Sequence, residues 1–170
     1  MSWDVVVVGA GVVGLACTAE LSARGMRVLC LEREPRAGQG TSSRNSGVVH
    51  AGMYYATGTL KAKLCVRGNA STWAFCEAHG VAHQKTGKLI VATDAPGEAK
   101  LHDILARAQA NGVAELSFVP VSFVRELEPN VSCRAALWSP NTGIVDAHGL
   151  MDALSAQARE HDADFAFHHA

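Results

Sequence analysis

The stretch VVVVGAGVVGLACTAELSARGMRVLCLE, residues 5–32, decides the fold. It begins with four valines, and such an apolar run without alternation is typical of a strand buried on both faces of a parallel sheet. Apolar residues then recur at helical spacing up to Gly25, which predicts the end of a helix. A second strand is predicted over residues 27–31 and closes with Glu32. The stretch therefore predicts a complete strand–helix–strand unit with a parallel crossover.

Three glycines lie between the first strand and the helix. Gly9, Gly11 and Gly14 form the pattern G-x-G-x-x-G. The first allows a tight turn, the second lets a pyrophosphate approach the backbone, and the third lets the helix pack closely on the sheet, while the helix N-terminus favours an anion. Glu32 is placed to accept hydrogen bonds from a ribose diol and would repel a 2′-phosphate. A bound dinucleotide is predicted, and the alternative is a glycine-rich turn without nucleotide.

A long polar loop follows the second strand, where a nicotinamide dehydrogenase would usually continue into its next helix. Its sequence is GTSSRNSGVVHAGMYY, residues 40–55. Its hydroxyls and backbone N–H groups offer a second set of contacts to phosphate and ribityl oxygens. The glycine pattern alone fits either NAD or FAD. A flavin dinucleotide lies extended across its domain and needs this second line of contacts, so the loop favours FAD.

The rest of the chain alternates helical and strand patterns without an internal repeat. Helices are predicted over residues 60–79 and 96–111, from 122 to before Pro129, and over 147–161 with Asp146 as the cap. Strands are predicted over residues 88–93 and from 164 on, and over 135–140 and 142–146 as a pair around a turn.

The composition argues against several classes of function. The 170 residues are 48% hydrophobic and 18% charged, which suits one ordinary globular domain. A net charge of −1 gives no electrostatic case for nucleic acid or an anionic membrane as partner. The 5 cysteines show no C-x-x-C spacing and the 8 histidines no metal-binding spacing, so neither disulfides nor a metal site is predicted. No signal peptide or transmembrane segment is recognisable.

Four blocks of the sequence together resemble one family. They are residues 5–32, residues 40–69, TGKLIVAT (86–93) and SPNTGIVDAHGLM (139–151). They are similar to the N-terminal part of the L-2-hydroxyglutarate dehydrogenase/oxidase family, which belongs to the D-amino-acid-oxidase-like flavoprotein superfamily. Many flavoproteins share the glycine pattern. The blocks SSRNSGVVHAGMYY and LKAKLCVRG are more particular to this family.

The resemblance implies an α/β enzyme with a Rossmann-like FAD-binding βαβ domain and the start of an α+β substrate domain, as in the glutathione-reductase and D-amino-acid-oxidase type. The cofactor would be FAD. The reaction would oxidise L-2-hydroxyglutarate to 2-oxoglutarate by hydride transfer to the flavin. The expected domains are 1–80 for FAD binding, 81–145 for part of the substrate domain, and 146–170 for a helix and strand that return to the FAD-binding domain. Family members are much longer, so we expect a truncated chain whose sheet lacks neighbours.

The resemblance also implies roles for individual residues. Those expected to hold the ADP half of FAD are Gly9, Gly11, Val12, Val13, Gly14, Glu32 and Arg33. Those expected along the pyrophosphate and ribityl chain are Thr41, Ser42, Ser43 and Arg44. Those expected near the isoalloxazine ring are Asn45, Ser46, Gly47 and His50.

Three roles are open for His50. Its imidazole could take the hydroxyl proton of the substrate as a general base. It could instead only hydrogen-bond the flavin or the loop, or be the attachment point of a covalent flavin. A dicarboxylate also needs cationic anchors, which Arg44, as a catalytic residue, or Lys61, Lys63 and Arg67 could supply. For the two lysines a solvated basic surface is the alternative.

Two other functions stay open. One is an amine oxidase of the D-amino-acid-oxidase or glycine-oxidase type, and the other is a non-catalytic, truncated FAD-binding fragment. The electron acceptor could be oxygen, a quinone or a protein carrier. A cytoplasmic location is predicted, and peripheral association with the inner membrane is the alternative that a quinone acceptor would fit.

Overall fold

Helices and strands alternate along the chain in the computed structural model, which describes residues 2–169. The strands are β1 (Val5–Val8), β2 (Val28–Glu32), β3 (Val48–Val49), β4 (His83–Gln84), β5 (Lys88–Ala92), β6 (Ser117–Val119), β7 (Ala135–Ser139), β8 (Gly143–Val145) and β9 (Asp164–Phe167). The helices are α1 (Val12–Ala23), α2 (Leu60–Ala78), α3 (Ala95–Ala110), α4 (Val121–Leu127) and α5 (Ala147–Glu160), with a 3₁₀ turn at Thr41–Ser43. Each predicted helix is confirmed close to its predicted ends. The sequence did not predict β3, β4, β6 or the 3₁₀ turn.

These elements form two compact units. The first comprises the chain up to Gly47, residues 78–82 and the chain from Val145 onward, and the second comprises residues 48–77 and 83–144. The predicted division at 1–80, 81–145 and 146–170 assigns α2 differently. Most of α2 belongs to the second unit, where the side-chain amide of Asn69 donates to the Asn141 carbonyl at 2.8 Å. Whether the units are functional domains stays a prediction.

The first unit is built on a parallel three-stranded sheet in the order β1-β2-β9. Val5 lies opposite Val28 in the first pair of strands, and Leu29 lies opposite Asp164 in the second. Helix α1 connects β1 to β2 and packs on both, and α5 packs on α1. The predicted strand–helix–strand unit with a parallel crossover is therefore confirmed.

Strand β1 buries only one of its two faces. Val5 and Val7 are partly buried, whereas Val6 and Val8 are 50% and 79% exposed. The run of valines predicts burial on both faces in a complete sheet, whereas the expected lack of sheet neighbours predicts exposed apolar faces, and the exposure of Val6 and Val8 agrees with the second expectation. The reason is that α1 packs on this strand from one side, while the side chains of the other face remain open to solvent.

The core of the second unit involves α3 and an antiparallel sheet in the order β5-β7-β6. Lys88 lies opposite Ser139, and Phe118 lies opposite Leu137. The buried residues of this core are Ala51, Met53, Ala92, Leu101, Ala108, Leu116 and Leu137. Because Ala51 and Met53 lie just after β3, apolar packing holds the segment that follows β3 against the sheet.

Strands β7 and β8 do not pair with each other, so their predicted pairing is wrong. Strand β7 lies in the sheet with β5, where the side chain of Leu137 is completely buried. Strand β8 lies between β3 and β4, with Gly143 opposite Val49. A Cβ on Gly143 would lie 2.2 Å from the Gln84 carbonyl oxygen, so this glycine allows β4 to approach closely.

Candidate dinucleotide-binding site

The glycine turn joins β1 to α1. Gly9 has a φ of +99°, which favours glycine, and its N–H donates to the Leu31 carbonyl at 2.7 Å. A Cβ on Gly14 would lie 1.8 Å from the Gly9 carbonyl oxygen, so this position excludes every other residue. The geometry thus matches the tight turn and the close helix packing that the glycine pattern predicts.

Gly11 is the N-cap residue of α1 and supplies no side-chain cap. The Ser42 hydroxyl oxygen, from the loop after β2, accepts a hydrogen bond from the Val12 N–H at 3.1 Å. A Cβ on Gly11 would lie 3.0 Å from that same oxygen. Because Gly11 lacks a Cβ, a polar group can reach the helix N-terminus at this point, as the approach of a pyrophosphate requires.

Glu32 is the last residue of β2, and both of its carboxylate oxygens accept hydrogen bonds from backbone N–H groups. Its Oε2 accepts from the Ala10 N–H at 2.7 Å and its Oε1 from the Glu34 N–H at 3.1 Å. The hydrogen bond from Glu34, aided by that from Ala10, lowers the pKa of the Glu32 carboxyl, although partial burial opposes the shift. Each carboxylate oxygen has a second lone pair, so Glu32 closes the glycine turn and can still accept from a ribose diol.

A cleft of about 290 Å³ lies beside the ends of β1 and β2. The predicted residues that line it are Gly9, Gly11, Glu32, Arg33, Thr41 and Ser42, and the others are Val8, Leu31, Glu34, Gly38, Gly40 and His169. Ligands of open α/β sheets bind outside the carboxyl ends of parallel strands. The volume is close to the lower end of ligand pockets, about 300 Å³. The cleft therefore suits part of a dinucleotide, and its residues fit the ADP half of FAD.

Gly38 and Gly40 are cleft residues that the sequence reasoning missed. Gly38 is buried with a φ of +75°, and its N–H donates to the Ala10 carbonyl at 2.9 Å. A Cβ on Gly38 would lie 2.7 Å from the methyl group of Met151. The available signal was the G-Q-G spacing directly before the Thr-Ser-Ser block.

Several polar groups of the loop hold the shape of the loop itself. The Ser43 hydroxyl donates to the Gly40 carbonyl at 2.9 Å. The Asn45 amide donates to the Ser42 carbonyl at 2.7 Å, and its oxygen accepts from the Gly47 N–H at 2.8 Å. Ser43 and Asn45 therefore stabilise the conformation of the loop itself, which is predicted to contact the cofactor.

The predicted residues that do not line the cleft are Val12, Val13, Gly14, Ser43, Arg44, Asn45, Ser46, Gly47 and His50. Arg44 is exposed, and none of the ion pairs described within residues 2–169 includes it. Its guanidinium is thus accessible to an anionic ligand, and its catalytic role stays a prediction.

His50 belongs to the second unit and follows β3 directly. The residue is exposed, and its backbone carbonyl accepts from the Asn69 amide at 3.2 Å and from the Cys65 thiol at 3.5 Å. Since Asn69 also donates to the Asn141 carbonyl, it ties the end of β3 to the turn before β8. The backbone at His50 is therefore well anchored, while its place near the flavin ring stays a prediction.

The predicted cationic anchors differ in their surroundings. The Lys61 ammonium lies 4.5 Å from the centroid of the Tyr55 ring, while Lys63 and Arg67 are exposed on α2. Lys88 lies in a cavity with His50, and the sequence analysis did not consider it. It was missed because the two residues are distant in the chain and only the fold of the second unit brings them to one cavity.

Within residues 2–169 no group of three or more His, Cys, Asp or Glu side chains is placed to hold a metal ion. In the same part of the chain no helix combines the length and the apolar character needed to cross a bilayer.

Comparison with known proteins defines the class. Residues 4–170 match the model of the DAO family of FAD-dependent oxidoreductases, and the chain belongs to this family. The predicted fold class and the predicted cofactor, FAD, are thereby confirmed.

Curated relatives support a narrower resemblance. The chain is 46% identical over 151 residues to the mitochondrial L-2-hydroxyglutarate dehydrogenase of Arabidopsis thaliana, covering 89% of this chain and 31% of that protein. It is 33% identical over 155 residues to the L-2-hydroxyglutarate dehydrogenase of Escherichia coli K12, covering 90% and 36%. The predicted resemblance is confirmed, and the chain spans about a third of the length of these relatives.

Solved structures with the same fold include oxidases of two substrate classes. The L-α-glycerophosphate oxidase of Mycoplasma pneumoniae with FAD bound has a TM-score of 0.90 at 27% identity, covering 99% of this chain and 45% of that chain. The glycine oxidase of Geobacillus kaustophilus has a TM-score of 0.81 at 26% identity, covering 98% and 46%.

Proposed function

We propose that the whole protein is an FAD-dependent dehydrogenase that oxidises L-2-hydroxyglutarate to 2-oxoglutarate. The observation that carries this proposal is the 46% identity, over 151 residues, to a protein named for that activity. The cleft beside β1 and β2 supports it, because its glycines, its helix N-terminus and Glu32 suit the ADP half of the cofactor.

FAD, when bound, supplies the hydride acceptor for the reaction. The chain itself has to hold the cofactor, bind the carboxylates of the substrate and remove a proton. The glycine turn and Glu32 would bind the ADP half, residues 41–44 would line the pyrophosphate and ribityl chain, and residues 45–47 would approach the isoalloxazine ring. A ring nitrogen of His50 takes the proton of the C2 hydroxyl while the hydrogen on C2 leaves as hydride. Arg44 is an exposed cation that can bind one carboxylate.

The second candidate is an amine oxidase, which the structural similarity to a glycine oxidase favours. Both reactions use the same flavin and differ in the substrate. The decisive experiment is anaerobic reduction of the flavin-loaded, full-length protein with L-2-hydroxyglutarate, with glycine and with D-alanine. We expect bleaching of the flavin band by the hydroxy acid alone. Bleaching by an amine alone would overturn the proposal.

The third candidate is a truncated FAD-binding fragment without activity. A purified protein that takes up FAD and whose flavin band is bleached by none of these substrates would favour this reading. For the enzyme we propose a cytoplasmic location, and for its reoxidation oxygen, a quinone or a protein carrier. Reoxidation rates with oxygen and with a soluble quinone, and fractionation of cells into soluble and membrane parts, test these two points.

A further inference from the structure

We infer that Lys88 binds the substrate carboxylate that is attached to the reacting carbon. This inference rests on the proposed function and adds a residue to it. Its basis is a cavity of the second unit that Lys88 and His50 line together, along with Tyr54 and Thr142. The remaining lining residues are Ala51, Gly52, Met53 and Tyr55.

The charge of this cavity favours an anion. Lys88 is partly buried, and its ammonium lies 4.8 Å from the centroid of the Tyr54 ring. None of the lining residues is acidic, and no ion pair described within residues 2–169 includes Lys88. Burial of a charge is unfavourable without a partner, and a ring face compensates only in part. A carboxylate at this place would provide the missing partner.

The size of the cavity selects one end of the substrate. It measures about 10 Å³, which is about the space of one water-sized group. A single carboxylate oxygen fits there, and the rest of the substrate has to lie outside. His50 borders the same small cavity and is the proposed base at the C2 hydroxyl. The carboxylate attached to C2 therefore suits Lys88 better than the distant one at C5.

The fold fixes the backbone of Lys88 at this place. It begins β5 and pairs with Ser139. The preceding Gly87 has a φ of +70°, donates its N–H to the Thr142 carbonyl at 2.9 Å, and has no room for a Cβ, which would lie 1.9 Å from the Trp138 ring. Alternation along β5 puts Lys88 on the same face as Ile90 and Ala92. Ala92 belongs to the core that also contains Ala51 and Met53, from the loop after His50, and Ile90 packs against that core.

Ligand binding to the flavin-loaded, full-length protein tests this inference. The probes are 2-oxoglutarate and 2-oxopentanoate. The second has the same five-carbon chain with a methyl group in place of the distant carboxylate. The readout is the change in flavin absorbance on titration. We expect Lys88→Met to raise the Kd of both probes by about ten- to a hundredfold. Lys88→Arg should restore much of the affinity because it keeps the charge.

Lys85→Met is the matched control. Lys85 lies three residues earlier, is exposed, and has its ammonium 5.9 Å from the Trp73 ring, outside the cavity of His50. Its substitution should leave both Kd values unchanged. Flavin content should be the same in all variants, because Lys88 does not line the cleft beside β1 and β2. If Lys88→Met fails to fold, Lys88→Gln provides the same comparison.

The outcomes separate this inference from the proposed function. Unchanged Kd values in Lys88→Met overturn the role of Lys88, while the wild type still responds to 2-oxoglutarate. A loss confined to 2-oxoglutarate overturns the assignment to the near carboxylate. If the wild type responds to glycine and not to the oxo acids, the proposed function fails, and the inference is judged on the Kd of glycine. No response to any carboxylate overturns both.

Discussion

Replacement of Glu32 should weaken the fold as well as the binding of FAD. The sequence pattern predicts only a contact between Glu32 and the ribose. In the structure the same carboxylate accepts from the backbone N–H groups of Ala10 and Glu34, at 2.7 and 3.1 Å. Hydrogen bonds to a charged group contribute about 1.5–3 kcal/mol each. Because the carboxylate is partly exposed, we take the lower end, and Glu32→Ala should cost about 3 kcal/mol, or about a hundredfold in the folded-to-unfolded ratio.

Urea denaturation of the flavin-free protein measures this cost. Glu34→Gln is the control, since it changes a partly exposed neighbour whose backbone N–H remains in place. Its effect should stay within about 0.5 kcal/mol. A midpoint for Glu32→Ala equal to that of the control would refute the argument. A normal unfolding midpoint with weakened FAD binding would show that Glu32 serves the cofactor alone.

The pH dependence provides a second test of the same contact. The pKa of Glu32 is lowered in the folded protein, chiefly by the hydrogen bond from Glu34. Its contribution is therefore complete above the unfolded pKa of about 4.3 and is lost as the pH falls through the lower, folded value. The stability difference between wild type and Glu32→Gln should shrink over that acidic range. A difference independent of pH would contradict an ionised Glu32.

Three further changes follow from named contacts. Gly14→Ala should destabilise the protein by about 3 kcal/mol or more, because its Cβ would lie 1.8 Å from a carbonyl oxygen, whereas Gly68→Ala, with nothing within 4 Å, should not lower the denaturation midpoint. His50→Asn should keep FAD and slow flavin reduction by about 10²–10⁴-fold in stopped flow. A near-normal rate would rule out the role of His50 as base. If the acid-precipitated wild type is yellow and the acid-precipitated variant is colourless, His50 is the attachment point of a covalent flavin. Asn69→Leu should speed hydrogen exchange at residues 48–52 more than Trp73→Phe does, because the buried Trp73 donates to the Asn141 carbonyl, whereas Asn69 donates to both the Asn141 and the His50 carbonyls; equal exchange in both would contradict the anchoring of His50.

The glycine turn and the longer helices could be predicted because their signals are local. Apolar periodicity, glycine stops and an N-cap such as Asp146 act within a few residues, and the Asp146 carboxylate indeed accepts from the His148 N–H at 3.0 Å. Strands β3 and β4 have two residues each, too short for any alternation to be visible. The partner of β7 could not be predicted, because a strand pattern specifies which face is apolar and not which strand lies beside it.

The sequence by itself determined the βαβ unit, its dinucleotide-binding turn and the place of Glu32 after the second strand, because these depend on fixed short spacings. Only the tertiary structure decided that Ser42 bonds the start of α1, that Gly38 packs against Ala10, and that Lys88 shares a cavity with His50. Each of these contacts joins segments about thirty or more residues apart, or depends on the φ of a loop glycine. Such contacts exist only after the chain has folded, so no local pattern encodes them.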